Sequence, residues 1–272
     1  MIHENIKYIK GSWTKSCKSY YTKDNCLYVY LRKHDGRYNL DFIDNIDQIS
    51  ENKYFHNFNG YFRHSENNNF PKNIFQTHES YDYIDSKYKT LNAMQTWMKY
   101  AYKFNYQFYT NEMCEEFIKN NFYYNVYQAY MKLPFNKMKA NLWKYCIIYK
   151  YGGIYVNSNI ICKFVPDYLI HDNTYLICAP DEDINYLSEI IFAAPSNSPI
   201  LKSIIDLVVE RVLNKEIDEE YLITHYTGKG VFTDGIENYL KNNNLPICEN
   251  KKDYSKYLYS DLSVFNYESF NL

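Results

Sequence analysis

Apolar positions change their spacing several times along this chain, and each change marks an element. From Cys26 to Phe62 the pattern reads as β-rich. Leu27-Tyr28-Val29-Tyr30-Leu31 and Tyr38-Asn39-Leu40-Asp41-Phe42 flank a His34-Asp35-Gly36-Arg37 turn, which predicts a hairpin. The polar run Ser65 to Asn69 then predicts a boundary. Beyond it Asn73-Ile74-Phe75-Gln76 is a short apolar strand running into Thr77-His78-Glu79-Ser80. Leu91, Met94, Trp97, Met98 and Ala101 recur at three-to-four spacing and predict a helix over 88–103. Tyr106 to Tyr109 reads as a strand and Glu112 to Asn120 as a helix. This alternation favours an α/β sheet with crossovers.

The best-defined helix spans Asn136 to Lys150. Met138, Leu142, Tyr145, Cys146 and Tyr149 make its buried stripe, while Lys137, Asn141 and Lys144 share another face. Gly152-Gly153 stops it, since glycine takes a left-handed C-cap without steric penalty. Ile154-Tyr155-Val156 is then a strand short enough to end at the sheet edge, followed by the polar triplet Asn157-Ser158-Asn159. In an open α/β sheet that strand end faces the ligand crevice. Tyr175 to Ala179 and Ile190 to Ala194 read as further strands. Asn197-Ser198-Pro199 caps a helix to about Leu213. Thr227-Gly228-Lys229-Gly230 precedes a helix over Val231 to Lys241, whose start can offer backbone N–H groups to an anion.

Composition narrows the function. The 272 residues carry 30 basic and 32 acidic side chains with no long basic block, so nucleic acid has no electrostatic footprint here. The 33 tyrosines accompany abundant Asn, Lys and Ile, which points to AT-rich codons rather than a stacking surface for sugars. A large AT-rich DNA virus is a natural source for such a chain. Seven scattered cysteines without a C-x-x-C pair argue against a zinc site or a disulfide framework. The N-terminus has no apolar leader, and no apolar run approaches the roughly 18 residues of a membrane span. The expected location is the cytoplasm, meaning host cytoplasm or virion if the source is viral.

Four stretches in order resemble the family 32 glycosyltransferases. Phe70-Pro71-Lys72-Asn73-Ile74-Phe75-Gln76-Thr77 is similar to the opening "IPKIIHQT" strand, and Lys139 to Tyr149 to "KADxxRYxxLY". Tyr151 to Asn159 is similar to "YGGIYxDxD", and Thr227-Gly228-Lys229 to the "TGP" loop. The resemblance implies a GT-A-like, Rossmann-related mixed sheet flanked by helices over 70–272, with 1–69 as a small β-containing extension. It implies transfer of a hexose from a UDP- or GDP-sugar to a glycan or glycoprotein hydroxyl, with retention. Asn157 and Asn159 take the metal-coordinating and catalytic positions, and Asn141 a third catalytic position. Gln76, Thr77, Lys144, Gly152, Gly153, Tyr155, Ser158, Gly228 and Lys229 take substrate-binding ones.

The departures share one direction. Where the family has acids, this chain has Asn141, Asn157 and Asn159; its Arg is Lys144 and its Pro is Lys229. Mg²⁺ and Mn²⁺ prefer anionic oxygens, whereas an amide offers a neutral carbonyl. One carboxylate–cation contact near a surface is worth about 4 kcal/mol at an effective dielectric of about 20. Three outcomes follow. Lys137, Lys139, Lys144 and Lys229 neutralise a leaving diphosphate without metal; or catalysis is lost and a glycan- or partner-binding module remains; or Asp181, Glu182, Asp183 and Asp234 hold a relocated ion. Taken without context, the triplet is a polar turn, Lys144 a solvated helix residue, and Asp181-Glu182-Asp183 an acidic turn. Trp97 and Trp143 read as core, His225 as neither base nor ligand, and nothing in the spacing of Glu189 and Asp206 favours a catalytic pair.

Overall fold

The computed structural model describes the backbone of residues 6–10, 17–22, 27–34, 37–41, 70–80, 88–100, 104–162, 175–214, 222–256 and 262–264. Its first sheet is a meander of β1 (Ile6–Lys10), β2 (Cys17–Thr22), β3 (Leu27–His34) and β4 (Arg37–Asp41), antiparallel throughout. His34 pairs with Arg37, so the expected hairpin is present. The boundary expected at Ser65 to Asn69 lies outside the described residues.

The second sheet carries the site. Its strands are β5 (Asn73–Thr77), β6 (Asn105–Tyr109), β7 (Gly153–Val156), β8 (Leu176–Pro180), β9 (Leu187–Ala194) and β10 (Leu262–Val264). They are ordered β10-β8-β9-β7-β5-β6. The pairs β5/β6, β5/β7 and β8/β10 are parallel, while β9 runs antiparallel to both β7 and β8. This is the mixed α/β sheet with flanking helices that a GT-A-like domain requires.

The helices are α1 (Tyr88–Tyr100), α2 (Asn111–Asn121), α3 (Tyr124–Lys132), α4 (Asn136–Tyr151), α5 (Pro199–Asn214), α6 (Leu222–Tyr226) and α7 (Lys229–Asn242). Thr110 caps α2 by accepting from Met113 N, and Ser198 caps α5 by accepting from Leu201 N. Two expectations change. α1 buries Ala93, Met94 and Trp97 but exposes Met98, because its inward stripe is narrower than the spacing suggests; Ala101 lies outside the described residues. α3 has no counterpart in the sequence reading, and Tyr123 before it makes no side-chain cap.

α4 is the central helix. Every residue from Asn141 to Ile148 is buried, so its polar face packs inward as fully as its apolar one. Trp143 and Tyr145 have no solvent exposure and pack against Tyr109, Tyr155, Phe192 and Phe232. Lys144 is therefore no solvated helix residue. Among the described residues, no helix is long and apolar enough to cross a membrane.

Candidate functional site

Strand order reverses between β5 and β7: from β5 the chain passes to β6 on one side and later to β7 on the other. A crevice opens outside the carboxyl ends of parallel strands at such a switch point. The residues there are Gln76 and Thr77 at the end of β5 and Asn157-Ser158-Asn159 after β7. Gln76, wholly buried, donates from Nε2 to Asn157 O at 3.3 Å and accepts at Oε1 from Tyr106 Oη at 2.6 Å. It ties the two strand ends together. Thr77 Oγ1 donates to Tyr109 O at 2.8 Å, so Thr77 too is held within the sheet.

The triplet is fixed from a third side. Asn157 N donates to Ile190 O of β9 at 2.9 Å, and Tyr155 Oη donates to Asn157 Oδ1 at 2.8 Å. Burial first, and the charge of Glu189 second, push the Tyr155 phenol far up, so it keeps the proton it donates. Asn157 is half-buried, Ser158 buried and Asn159 exposed.

Because β9 runs antiparallel to β7, its first residues return to the same edge, and Glu189 is among them. Lys144 Nζ lies 3.7 Å from Glu189 Oε1 and donates to Asn141 Oδ1 at 2.8 Å. The ammonium sits 5.4 and 5.3 Å from the ring centroids of Tyr145 and Tyr155. Burial pushes Lys144 down to about 8; Glu189 opposes that shift and Lys137 adds to it. Asn141 Nδ2 and Tyr145 Oη reach Thr227, joining α4 to the loop before α7. There Lys229 Nζ bonds Asp181 Oδ1 at 2.8 Å. Partial burial works against the charge of Lys229, but Asp181, Asp183 and Glu189 outweigh it and hold the ammonium above the ordinary lysine range.

The family model "Glycosyltransferase sugar-binding region containing DXD motif" matches residues 87–176, a span that includes α4, β7 and the triplet. The chain is 27% identical over 190 residues to an uncharacterized glycosyltransferase of Acanthamoeba polyphaga mimivirus, covering 67% of this chain and 72% of that protein. It is 31% identical over 101 residues to inositol phosphoceramide mannosyltransferase 3 of Schizosaccharomyces pombe, covering 37% of this chain and 27% of that protein. By these likenesses the chain is a glycosyltransferase, and it is similar to family 32. A solved structure, PaToxG Glycosyltransferase, superposes with a TM-score of 0.48 at 12% identity, over 64% of this transferase and 70% of that chain. This transferase spans only about a quarter of the fission-yeast enzyme's length.

Several residues that the resemblance assigned to substrate also have packing reasons. Gly152 (φ +67°) and Gly153 (φ +119°) stand at the far end of β7 from the triplet. A Cβ on Gly152 would lie 2.6 Å from Ser196 N, and one on Gly153 2.5 Å from Asn73 O. The ψ of Gly152, 169°, also lies outside the left-handed helical cap expected there. A Cβ on Gly228 would meet Ile223 O at 2.9 Å, so that glycine serves the α6–α7 junction. Among the other candidates, Lys139 lies over the Tyr130 ring and Lys137 is exposed. Asp206 pairs with Lys202 and Asp234 with Arg211, so neither joins Glu189.

The amide triplet does not suit a divalent cation. Asn157 Oδ1 already accepts from Tyr155, Asn159 offers a neutral oxygen, and the nearby carboxylate of Glu189 answers the ammonium of Lys144. Among the described residues no three His, Cys, Asp or Glu side chains come together as ligands. Asp181, named among the alternative holders of a relocated ion, bonds Lys229. Sequence reasoning missed two members of the site. Tyr106 looked like any strand aromatic, and the place of Glu189 beside Lys144 follows only from β9 pairing antiparallel to β7.

Proposed function

We propose that this transferase moves a hexose from a UDP- or GDP-sugar to a hydroxyl of a glycan or glycoprotein, with retention and without a divalent cation. The observation that carries the reading is the buried Lys144 ammonium, 3.7 Å from Glu189, at the edge where the triplet leaves the sheet. A leaving diphosphate needs positive charge in the transition state, and a fixed ammonium in a low-dielectric setting supplies it without reorganisation. The first turn of α7, with Lys229 beside it, adds backbone N–H groups and a second cation. Hexosyl transfer accords with the mannosyltransferase among the relatives.

Retention follows a front-face course in this reading. The C1–O bond to the diphosphate breaks and its electron pair leaves with the phosphate oxygen. The acceptor oxygen attacks from the same face and passes its proton to that diphosphate. No strong enzymatic base is needed. Release of nucleoside diphosphate from UDP- and GDP-sugars, measured with Mn²⁺ and with chelator, tests the scheme. Turnover indifferent to chelator supports it. Turnover that requires Mn²⁺ removes the metal-free part, and glycan binding without turnover of any donor identifies a silent binding module instead.

A further inference from the structure

An ammonium with no solvent exposure is expensive, and it stays charged only where neighbours repay the lost hydration. The groups facing Lys144 are these. From α4 come Asn141 at 2.8 Å, the Tyr145 ring and the repelling charge of Lys137; from β7 comes the Tyr155 ring. From β9 comes Glu189 at 3.7 Å, and Lys229 at the start of α7 shares the field of that same carboxylate. Among the described residues Glu189 is thus the carboxylate that answers Lys144. Asn141 orients the ammonium without neutralising it, because an amide carbonyl carries no charge.

We propose that Glu189 is a positioning residue that keeps Lys144 protonated, so that a resident ammonium lies beneath the triplet for the donor's diphosphate. This rests on the diphosphate reading above. Two features make the arrangement suited to that task. The Glu189–Lys144 separation of 3.7 Å is beyond hydrogen-bond contact, so the carboxylate favours the charged form without occupying the ammonium's donors. The cradle around it is closed by tyrosine rings, which favour a cation and admit no competing anion of their own. An aspartate at 141 would set a second carboxylate on the ammonium; Asn141 leaves Glu189 as its one charged partner among the described residues.

The test follows Lys144 directly. With lysine labelled by ¹³C at Cε, the Lys144 signal is assigned by its loss in Lys144→Arg and titrated. The wild-type midpoint is expected near about 8, below the ordinary lysine value of 10.5. Glu189→Gln is expected to lower it by about a unit, a tenfold change in proton affinity, and Asn141→Asp to raise it. In parallel, UDP and GDP binding is measured by calorimetry in EDTA at about pH 6 and about pH 9. Glu189→Gln should lose about tenfold in affinity at the higher pH and recover at the lower one. Lys144→Arg should bind alike at both, also when combined with Glu189→Gln, because guanidinium keeps its proton.

A Lys144 midpoint that does not move in Glu189→Gln overturns the proposal, whatever binds. A midpoint that moves as expected, beside wild-type protein that binds neither diphosphate at any pH, upholds the coupling of the two residues and overturns the donor reading. If Glu189→Gln fails to fold, Asn141→Asp decides: an unchanged midpoint there overturns the proposal too.

Discussion

Lys144 Nζ stands 3.7 Å from Glu189 Oε1 while the lysine side chain is 1% exposed, so one residue of the central helix brings a positive charge into the core. That charge has a measurable cost. Burial holds Lys144 near about 8 in the folded chain, against 10.5 for an ordinary lysine. Between those values the unfolded chain binds more protons than the folded one, so this group makes stability rise with pH across that window. Below about pH 8 the full cost applies, about 3 kcal/mol by the same linkage. Lys144→Met escapes it. Urea unfolding is expected to show the variant's advantage over wild type shrinking by about 2–3 kcal/mol between about pH 7 and pH 10. Comparison at each pH cancels the buried Tyr145, Tyr155 and Cys146, which act in the opposite sense. A pH-independent difference would show that the ammonium is not held at a penalty.

The same ammonium decides what acids at the triplet can do. Asn157→Asp with Asn159→Asp restores two anionic oxygens, yet Lys144 remains beside Tyr155, whose hydroxyl engages position 157. The double variant is expected to show no Mn²⁺ binding by calorimetry and at least about tenfold weaker UDP or GDP binding in chelator, because new carboxylates repel the diphosphate. Adding Lys144→Met should let Mn²⁺ bind. Mn²⁺ binding by the double variant alone would show that the pocket still supports an ion unaided.

How legible this was in the sequence depended on whether a signal was local. The Gly-Gly stop, the four-residue strand and the triplet were readable because steric punctuation and apolar runs are properties of neighbouring residues. β5, β6, β8, β9, α2 and α5 also lie within a few residues of where their patterns put them. α3 was not readable, since Tyr123 gives no cap and Tyr124-Asn125-Val126-Tyr127 has poor helix propensity; packing of Val126, Ala129 and Tyr130 forms it. The burial of Lys144 was hidden for a related reason. A 3.6-residue pattern shows which face is apolar, but not that both faces of α4 are covered, by the sheet and by α5. Glu189 and Tyr106 reach the site through strand pairing alone, and no spacing encodes that.

Tyr106 supplies a subtler test. Its hydroxyl bonds Gln76 Oε1 at 2.6 Å, and Gln76 in turn holds the carbonyl of Asn157. Tyr106→Phe leaves a buried amide oxygen without that donor, and should cost about 1–2 kcal/mol in stability. If the bond also sets the triplet's position, UDP or GDP affinity should fall severalfold in chelator. Donor affinity unchanged by Tyr106→Phe, beside lowered stability, would confine Gln76 to holding strands.

Gly153 separates packing from substrate contact at the other end of β7. Its φ of +119° lies where L side chains rarely go, and a Cβ would come within 2.5 Å of Asn73 O and 2.8 Å of Asn73 Cβ. Neither atom can yield without parting β7 from β5, since Ile74 pairs with Ile154 directly beyond. Gly153→Ala should therefore destabilise by about 3 kcal/mol or more, combining backbone strain with overpacking. Asn73→Ala removes the clashing side chain but not the carbonyl, so the double variant should recover only part of that loss. Chemical unfolding measures both. If Gly153→Ala instead kept wild-type stability while losing donor affinity, the glycine would belong to the substrate after all, and the crevice would have to extend along the strand rather than lie at its carboxyl end.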